Sequence, residues 1–371
     1  MGANSTASAW LDIDLDALAA NYRFFQDITS DQCHVAGILK ADAYGIGMQK
    51  ALAVFENMQC PFYFVATLGE ALALRGLTAK PVAVLDGLFT GAEDLYIHHN
   101  LLPVLNGLDD IMRWNACARR HSISLPAILH FDTGMNRLGM DHDDTARLLD
   151  DLSLLAGLQI VAVMSHFSCA DDKDHPETAV QSARFAAIAD RFPQAMKSLA
   201  NSSGIMRSTA CHYDLVRPGM AVYGLNPTPE TDNPMRPVIR LSARILQIRK
   251  ARKNETVGYG QTHHFNRDRT LATVAVGYGD GFPRYLGNRG TLYYKEHPCP
   301  IVGRVSMDLT VIDVSDVPAP IAAGDVVEVI GARQSADDLA KDAGTIGYEI
   351  LTALGRRYHR RYDTKQDSKQ A

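Results

Sequence analysis

Residues 35–45 read Val35-Ala36-Gly37-Ile38-Leu39-Lys40-Ala41-Asp42-Ala43-Tyr44-Gly45. The run from Val35 to Leu39 is continuously apolar. That suits a parallel strand buried on both faces rather than an alternating strand with one wet face. It stops abruptly at a lysine. Seven runs of the same texture follow: Phe62 to Val65, Val82 to Leu85, Leu101 to Leu105, Ala127 to Phe131, Leu158 to Met164, Ser198 to Asn201 and Leu215 to Tyr223. Helical patterns separate them. After Pro176, which suits a first helical position, Phe185, Ile188 and Phe192 fall three and four apart, and Leu148, Leu149, Leu152 and Leu155 form another apolar stripe. Strand and helix alternating eight times predicts an α/β fold, an N-terminal (β/α)8 TIM-like barrel. A doubly wound open sheet shares this alternation, and periodicity alone does not separate the two.

From about Arg236 the texture changes. Val238 to Ile248, Leu271 to Val276, Thr291 to Tyr294, Leu309 to Val314 and Val326 to Ile330 alternate, with Gly, Asn, Asp or Pro between them. This predicts a C-terminal, mostly antiparallel β domain, with no long helix before about Thr345. Trp10 to Asp14 reads as a short strand, a candidate member of that β domain. The expected division is 10–235 for the barrel and 236–362 for the β domain, with flexible tails at 1–9 and 363–371.

The chain of 371 residues carries a formal charge of -5, so no basic surplus tracks phosphates and a nucleic-acid partner is not expected. No apolar run reaches the roughly 18–20 residues of a membrane span, so no membrane partner is expected either. Met1 to Ser8 has neither the basic nor the apolar region of a secretory leader. Cys33, Cys60, Cys117, Cys169, Cys211 and Cys299 are scattered singly, without a C-x-x-C pair. The pattern predicts a reducing, cytoplasmic setting and no metal site.

Active sites of such barrels lie at the C-terminal ends of the strands, which is where Lys40 falls. A lysine leaving Gly37-Ile38-Leu39 enters apolar surroundings, where desolvation lowers its pKa and frees the amine as a nucleophile; a solvated loop lysine is the plainer reading. After the fifth strand, Asp132-Thr133-Gly134-Met135-Asn136-Arg137 offers a guanidinium fork to a carboxylate or phenolic oxygen, or a surface ion pair. His166 ends the sixth strand. Asn201-Ser202-Ser203-Gly204 and Arg217-Pro218-Gly219-Met220 follow the seventh and eighth, where barrels often cradle a phosphate on backbone N–H groups. In the β domain, Gly277-Tyr278-Gly279-Asp280-Gly281 sets a phenol in a glycine-rich corner, and Gly303-Arg304-Val305-Ser306-Met307-Asp308 follows.

Taken together, these segments resemble the alanine racemase family. The likeness runs from Trp10-Leu11-Asp12-Ile13-Asp14 through the Lys40 and D-T-G-M-x-R motifs to the Tyr278 and Met307 motifs, then Thr345-Ile346-Gly347-Tyr348-Glu349. The resemblance implies a pyridoxal 5'-phosphate enzyme interconverting L-alanine and D-alanine by two-base proton transfer, for peptidoglycan supply or D-alanine catabolism. Lys40 would carry the cofactor and move a proton on one face of the substrate carbon, and Tyr278 would serve the other face. The resemblance also implies a homodimer with shared active sites, in which Tyr278 and Met307 come from the partner. Arg137 would position the substrate carboxylate and the cofactor phenolate. Arg217 would face the pyridine nitrogen, with His166 linking it to Tyr278. Tyr44, Ser202, Gly219 and Met220 would hold the phosphate, with Asn201 beside them.

Three positions depart from the family pattern. His130 stands seven residues before Arg137, where many members carry a carboxylated lysine that pairs with the arginine; what orients Arg137 is thereby left open, a bound anion being one candidate. Ile46 stands where histidine is frequent. Arg356 falls where some members place an aromatic on the phosphate. Two rival classes share parts of the pattern. Amino-acid decarboxylases of the same fold type would carry a cysteine-centred acid motif and a glycine-rich phosphate loop in the later barrel. Cofactor-binding homeostasis proteins lack the β domain.

Overall fold

A computed structural model of the chain describes residues 6–363. Seven strands lie side by side in chain order, all parallel: Gly37–Ile38, Tyr63–Val65, Val82–Val84, Leu102–Leu105, Leu125–His130, Leu158–Met164 and Met196–Ser198. The ring closes through an eighth strand, Leu215–Val216. On one side it pairs in parallel with His34–Val35. On the other, Asp214 N–H donates to the Lys197 carbonyl (3.1 Å) and Arg217 N–H to that of Ala200 (3.0 Å). The first barrel strand is therefore split at Ala36, its first half serving strand eight and its second half strand two. Eight parallel strands in a closed circuit leave no sheet edge, which removes the open doubly wound alternative.

Two strand ends differ from the sequence reading. The seventh strand is Met196–Ser198; beyond it Asn201 keeps only an isolated bridge to Arg217 and caps the helix Ser202–Arg207, its Oδ1 accepting the Gly204 N–H at 3.0 Å. The eighth stops at Val216 rather than reaching Tyr223. Pro218 has no N–H for a ladder, and Gly219 to Leu225 coil into tight turns instead.

The second body is an eight-stranded sheet. Its long strand Ile239–Ala251 pairs antiparallel with Ala9–Asp14, Arg269–Val274 and Val326–Ile330. Ala9–Asp14 in turn pairs in parallel with His359–Asp363. The chain thus begins in the β domain, builds the barrel, and returns. Ala7 and Ser8 accept hydrogen bonds from Arg244, and Asp363 is registered opposite Asp14, so these residues are ordered parts of the sheet and not tail. The rest of the expected tails, 1–5 and 364–371, lies outside the described residues. As expected, no long helix of this domain precedes Thr345 among the described residues; a short one, Ala336–Ala343, does. Ser335 and Asp338 form its capping box, and Ala336, Leu339, Ala340 and Ala343 make its buried stripe.

The feature that positions the site follows the first barrel strand. Ala41, Asp42, Ala43 and Tyr44 all have φ of 53–54°, a turn of left-handed helix built without glycine. Each such residue costs about 1–2 kcal/mol relative to the right-handed form. Several contacts offset this. Inside the turn, Ala43 N–H bonds to Leu39 O and Gly45 N–H to Ala41 O. Glu70 Oε1 takes the Ala41 N–H at 2.6 Å, and Asp42 Oδ1 takes that of Met48 at 2.7 Å. From the β domain, Arg360 donates to Gly45 O (2.6 Å) and Tyr362 to Ile46 O (2.9 Å). Gly45, at φ +80°, lies so close to the helix Gly347–Thr352 that a Cβ would stand 2.2 Å from the Leu351 carbonyl oxygen.

This packing makes a testable distinction. Gly91 has the same backbone region (φ +82°) but open space around it, so Gly91→Ala should cost only the conformational penalty of about 1–2 kcal/mol. Gly45→Ala should lower the melting temperature markedly more. Equal shifts in a thermal scan would show that the contact with the β domain does not hold this turn.

Candidate active site

Lys40 immediately precedes the left-handed turn, so its side chain leaves the barrel just where the strand ends. Burial holds its ammonium below the usual lysine range. The nearby charge of Arg137 adds to this, Glu70 and Asp86 oppose it, and Arg217 reinforces it. More of the amine is therefore neutral, and nucleophilic, near neutral pH.

Arg217 is almost wholly buried, yet no carboxylate pairs with it among the described residues. Its donors go to the Ser198 hydroxyl, to the Ser165 carbonyl, to the Leu199 carbonyl at 3.3 Å and to His166 Nδ1 at 3.4 Å. Burial pulls its pKa down to about 9, which leaves it charged at neutral pH. A buried cation with only neutral partners is costly unless an acceptor or anion completes it. Because arginine only donates, His166 must accept through Nδ1 and carry its proton on Nε2. Burial, then the Arg217 charge, pushes His166 well below its ordinary pKa and keeps it neutral. The Asn201 amide nitrogen at 3.5 Å from that Nε2 then sets donor against donor, so no bond forms there.

The cradle lies beside this pair. Ser202 Oγ accepts the N–H groups of Gly219 (2.9 Å) and Ala221 (3.4 Å), which leaves its own proton to donate. The Tyr44 hydroxyl has no hydrogen-bond partner among the described residues, and burial pushes its pKa up, so it too remains a donor. Its ring stacks on Tyr223 (4.5 Å, 21°). A Cβ on Gly219 would stand 2.5 Å from the Tyr44 oxygen, so only glycine keeps the cradle open. Met220 is buried next to it.

Arg356, at the position where some members place an aromatic, is exposed, with no side-chain hydrogen bond or ion pair among the described residues. The aromatic beside the cradle is Tyr348, whose ring lies 6.1 Å from that of Tyr44. Sequence reasoning also missed Glu70, which caps its helix in a box with Thr67 while holding the Ala41 N–H. The T-x-x-E spacing was a visible signal for the cap, but nothing local showed that the carboxylate also reaches the lysine turn.

Tyr278 and Met307 form a second group, in the β domain. Tyr278 N–H donates to Ser306 O (3.0 Å) and Gly279 N–H to Met307 O (2.7 Å). Arg357 ties the two turns by donating to Asp280 and Asp308, both at 2.7 Å. No hydrogen bond joins this group to the barrel mouth among the described residues. The two side chains are 43% and 55% exposed, unusually open for a phenol and a thioether held so rigidly.

An amine of lowered pKa, two hydroxyl donors over a glycine floor and unbalanced guanidinium charge suit a phosphorylated aldehyde bound through lysine. Fold and site together define a barrel enzyme with an appended β domain, built around a lysine-linked cofactor of the pyridoxal phosphate kind. The chain belongs to the alanine racemase family: its N-terminal domain model matches residues 13–227 and its C-terminal domain model 238–362. It is 45% identical to the alanine racemase of Rhodospirillum rubrum over 98% of both chains. It is 41% identical to a catabolic alanine racemase of Mesorhizobium japonicum over 96% of this chain and 94% of the other. Among solved structures, alanine racemase from Bartonella henselae with covalently bound pyridoxal phosphate superposes with a TM-score of 0.93 at 35% identity, covering 96% of this chain and 100% of that one. The biosynthetic enzyme of Pseudomonas aeruginosa gives 0.90 at 32% identity, covering 97% and 100%.

The lowered pKa of Lys40 can be read directly. Brief reductive methylation of the cofactor-free chain near pH 7.5 should modify Lys40 ahead of exposed Lys173 and Lys253, as seen by peptide mapping. Labelling no faster than at Lys173 would contradict the assignment.

Proposed function

We propose that the chain racemises alanine with pyridoxal 5'-phosphate, using Lys40 and Tyr278 as the two proton-transfer residues on opposite faces of the substrate carbon. The observation that carries the reading is the Lys40 amine of lowered pKa set beside the unpaired cations Arg137 and Arg217. When bound, the cofactor supplies the electron sink that makes the Cα proton removable. Lys40 holds it covalently and exchanges the proton on its own face. Tyr44, Ser202, Gly219 and Met220 receive the phosphate, with Tyr348 and Asn201 at the edge of the cradle. Arg137, exposed and without an ion-pair partner among the described residues, takes the substrate carboxylate.

Arg217 would face the pyridine nitrogen of the cofactor, and a cationic donor there would leave that nitrogen unprotonated and disfavour transamination. The neutral His166, accepting from Arg217 and presenting Nε2–H outward, supports the phenolate form of Tyr278. A phenol has an unperturbed pKa near about 10, so it needs such a neighbour to act as a base.

The exposure of Tyr278 and Met307 in a single chain supports a homodimer in which each subunit's β domain completes its partner's barrel. No described helix is long and apolar enough to cross a membrane. The cysteines are all free, in keeping with work in the cytoplasm.

Chiral chromatography of L-alanine incubated with the holoenzyme should show D-alanine; release of CO2 without it would place the chain among decarboxylases instead. Tyr278→Phe should lose racemisation by at least about a hundredfold, the scale of a lost general acid–base group. Mixing Tyr278→Phe with Lys40→Ala chains should restore activity, since each heterodimer keeps one intact site. Absence of restoration after verified subunit exchange would remove the shared site.

A further inference from the structure

His130 ends the fifth barrel strand, is 7% exposed, and belongs to none of the roles assigned above. Its Nδ1 lies 2.8 Å from the Asn106 side-chain oxygen. The orientation of that amide is fixed from behind. Asn106 Nδ2 donates to the carbonyls of Leu85 (3.3 Å) and Val104 (3.2 Å), so the atom turned to the imidazole is the oxygen, an acceptor. Nδ1 must then carry the proton. The imidazole is neutral, because burial first, and the charges of Arg217 and Arg137 after it, pull its pKa down to about 3 against the opposing Asp132. A neutral ring protonated at Nδ1 has a bare lone pair at Nε2, and that atom has no partner among the described residues.

His130 and Arg137 line one small polar cavity of about 10 Å³, together with Asp132, Ser165 and His166. That is about the room for one water. Among these, Asp132 holds its own loop through Oδ1, which accepts the N–H groups of Gly134 and Met135, both at 2.8 Å, while its Oδ2 has no partner among the described residues. Ser165 exchanges its hydroxyl with Thr133 at 2.7 Å. His166 Nδ1 is taken by Arg217. The free imidazole lone pair and the Arg137 guanidinium, which has no acceptor among the described residues, therefore share its walls, with the second Asp132 oxygen beside them.

We propose that His130 is a positioning residue for Arg137: Asn106 locks it as the Nδ1–H tautomer, and its Nε2 accepts from the Arg137 guanidinium, directly or through one water. An uncharged acceptor orients the fork without neutralising it, so Arg137 keeps its full positive charge for the substrate carboxylate. A carboxylate at this place would instead have divided that charge between two anions. The inference rests on Arg137 being the carboxylate-binding residue of the proposed racemase, and the test separates the two claims.

On the full-length chain with ¹⁵N-labelled histidine, long-range NMR should show His130 as the Nδ1–H tautomer between pH 6 and 8. Its Nε2 resonance should shift toward that of an unbonded nitrogen in Arg137→Ala. An Nε2–H tautomer, or an Nε2 resonance unmoved by that substitution, overturns the proposal whether or not the chain racemises alanine. In the holoenzyme, His130→Phe should raise the KM for alanine by about tenfold, the scale of one hydrogen bond to a charged group, with a smaller effect on kcat. His130→Gln, whose amide offers both N–H donors and an oxygen acceptor, should recover most of that loss. If Gln and Phe variants of equal thermal stability share the same KM, the acceptor role is refuted. A shift in the NMR arm without racemisation would keep the His130–Arg137 contact and remove only the function assigned to Arg137.

Discussion

The site depends on a turn of the wrong hand. Four consecutive non-glycine residues, Ala41 to Tyr44, are wound left-handed directly behind the lysine. Nothing in their side chains favours that conformation, so it persists only where surrounding contacts over-determine it. Those contacts come from three directions: the barrel helix that contributes Glu70, the helix Gly347–Thr352 pressed on Gly45, and the terminal strand that contributes Arg360 and Tyr362. The turn aims two functional groups at once, the Lys40 amine and the Tyr44 hydroxyl. The β domain is thus part of what shapes the Lys40 end of the barrel in its own chain.

The second organising feature is charge without counter-charge. Lys40, Arg137 and Arg217 approach one another at the barrel mouth, while Glu70 is occupied on backbone N–H groups and one oxygen of Asp132 on its own loop, which leaves Asp86 as the acid that opposes the lysine shift alongside Glu70. In a folded chain such an arrangement opposes stability, because each cation weakens its neighbours and none is fully solvated. It becomes favourable when a phosphate, a phenolic oxygen and a carboxylate enter. The neutral histidines follow from the same electrostatics. His130 and His166 are both depressed by burial and by arginine, so each is available as a hydrogen-bond partner of fixed tautomer instead of as a further cation.

Rigidity is distributed accordingly. The Tyr278 and Met307 turns are joined by backbone hydrogen bonds and by Arg357 spanning Asp280 and Asp308, while their side chains stay open to solvent. Under the proposed role of Tyr278, such preorganisation would cost nothing further at the moment of reaction. Exposure combined with a fixed backbone is what an element made to enter another subunit's pocket requires.

The sequence by itself determined the strand–helix alternation, the β domain and the lysine, while closure of the alternation into a barrel was decided by the pairing of the eighth strand with the first. Continuous apolar runs and helical stripes are local patterns, and the placement of Lys40, Arg137, His166, Ser202 and Arg217 at strand ends follows from them. Strand ends seven and eight were misread because capping by Asn201 and the missing N–H of Pro218 act on single residues that an apolar run conceals. Helix Ala336–Ala343 was overlooked although its capping box and its four-residue stripe were both visible. Only the tertiary structure decided which aromatic borders the cradle, Tyr348, because that choice depends on how the last helix docks on Gly45. It alone decided the hand of the Ala41–Tyr44 turn and the tautomer of His130. Each is set by partners far away in the chain, Leu351 and Arg360 for the turn and Asn106 for the ring, and no local preference of the residues themselves encodes them.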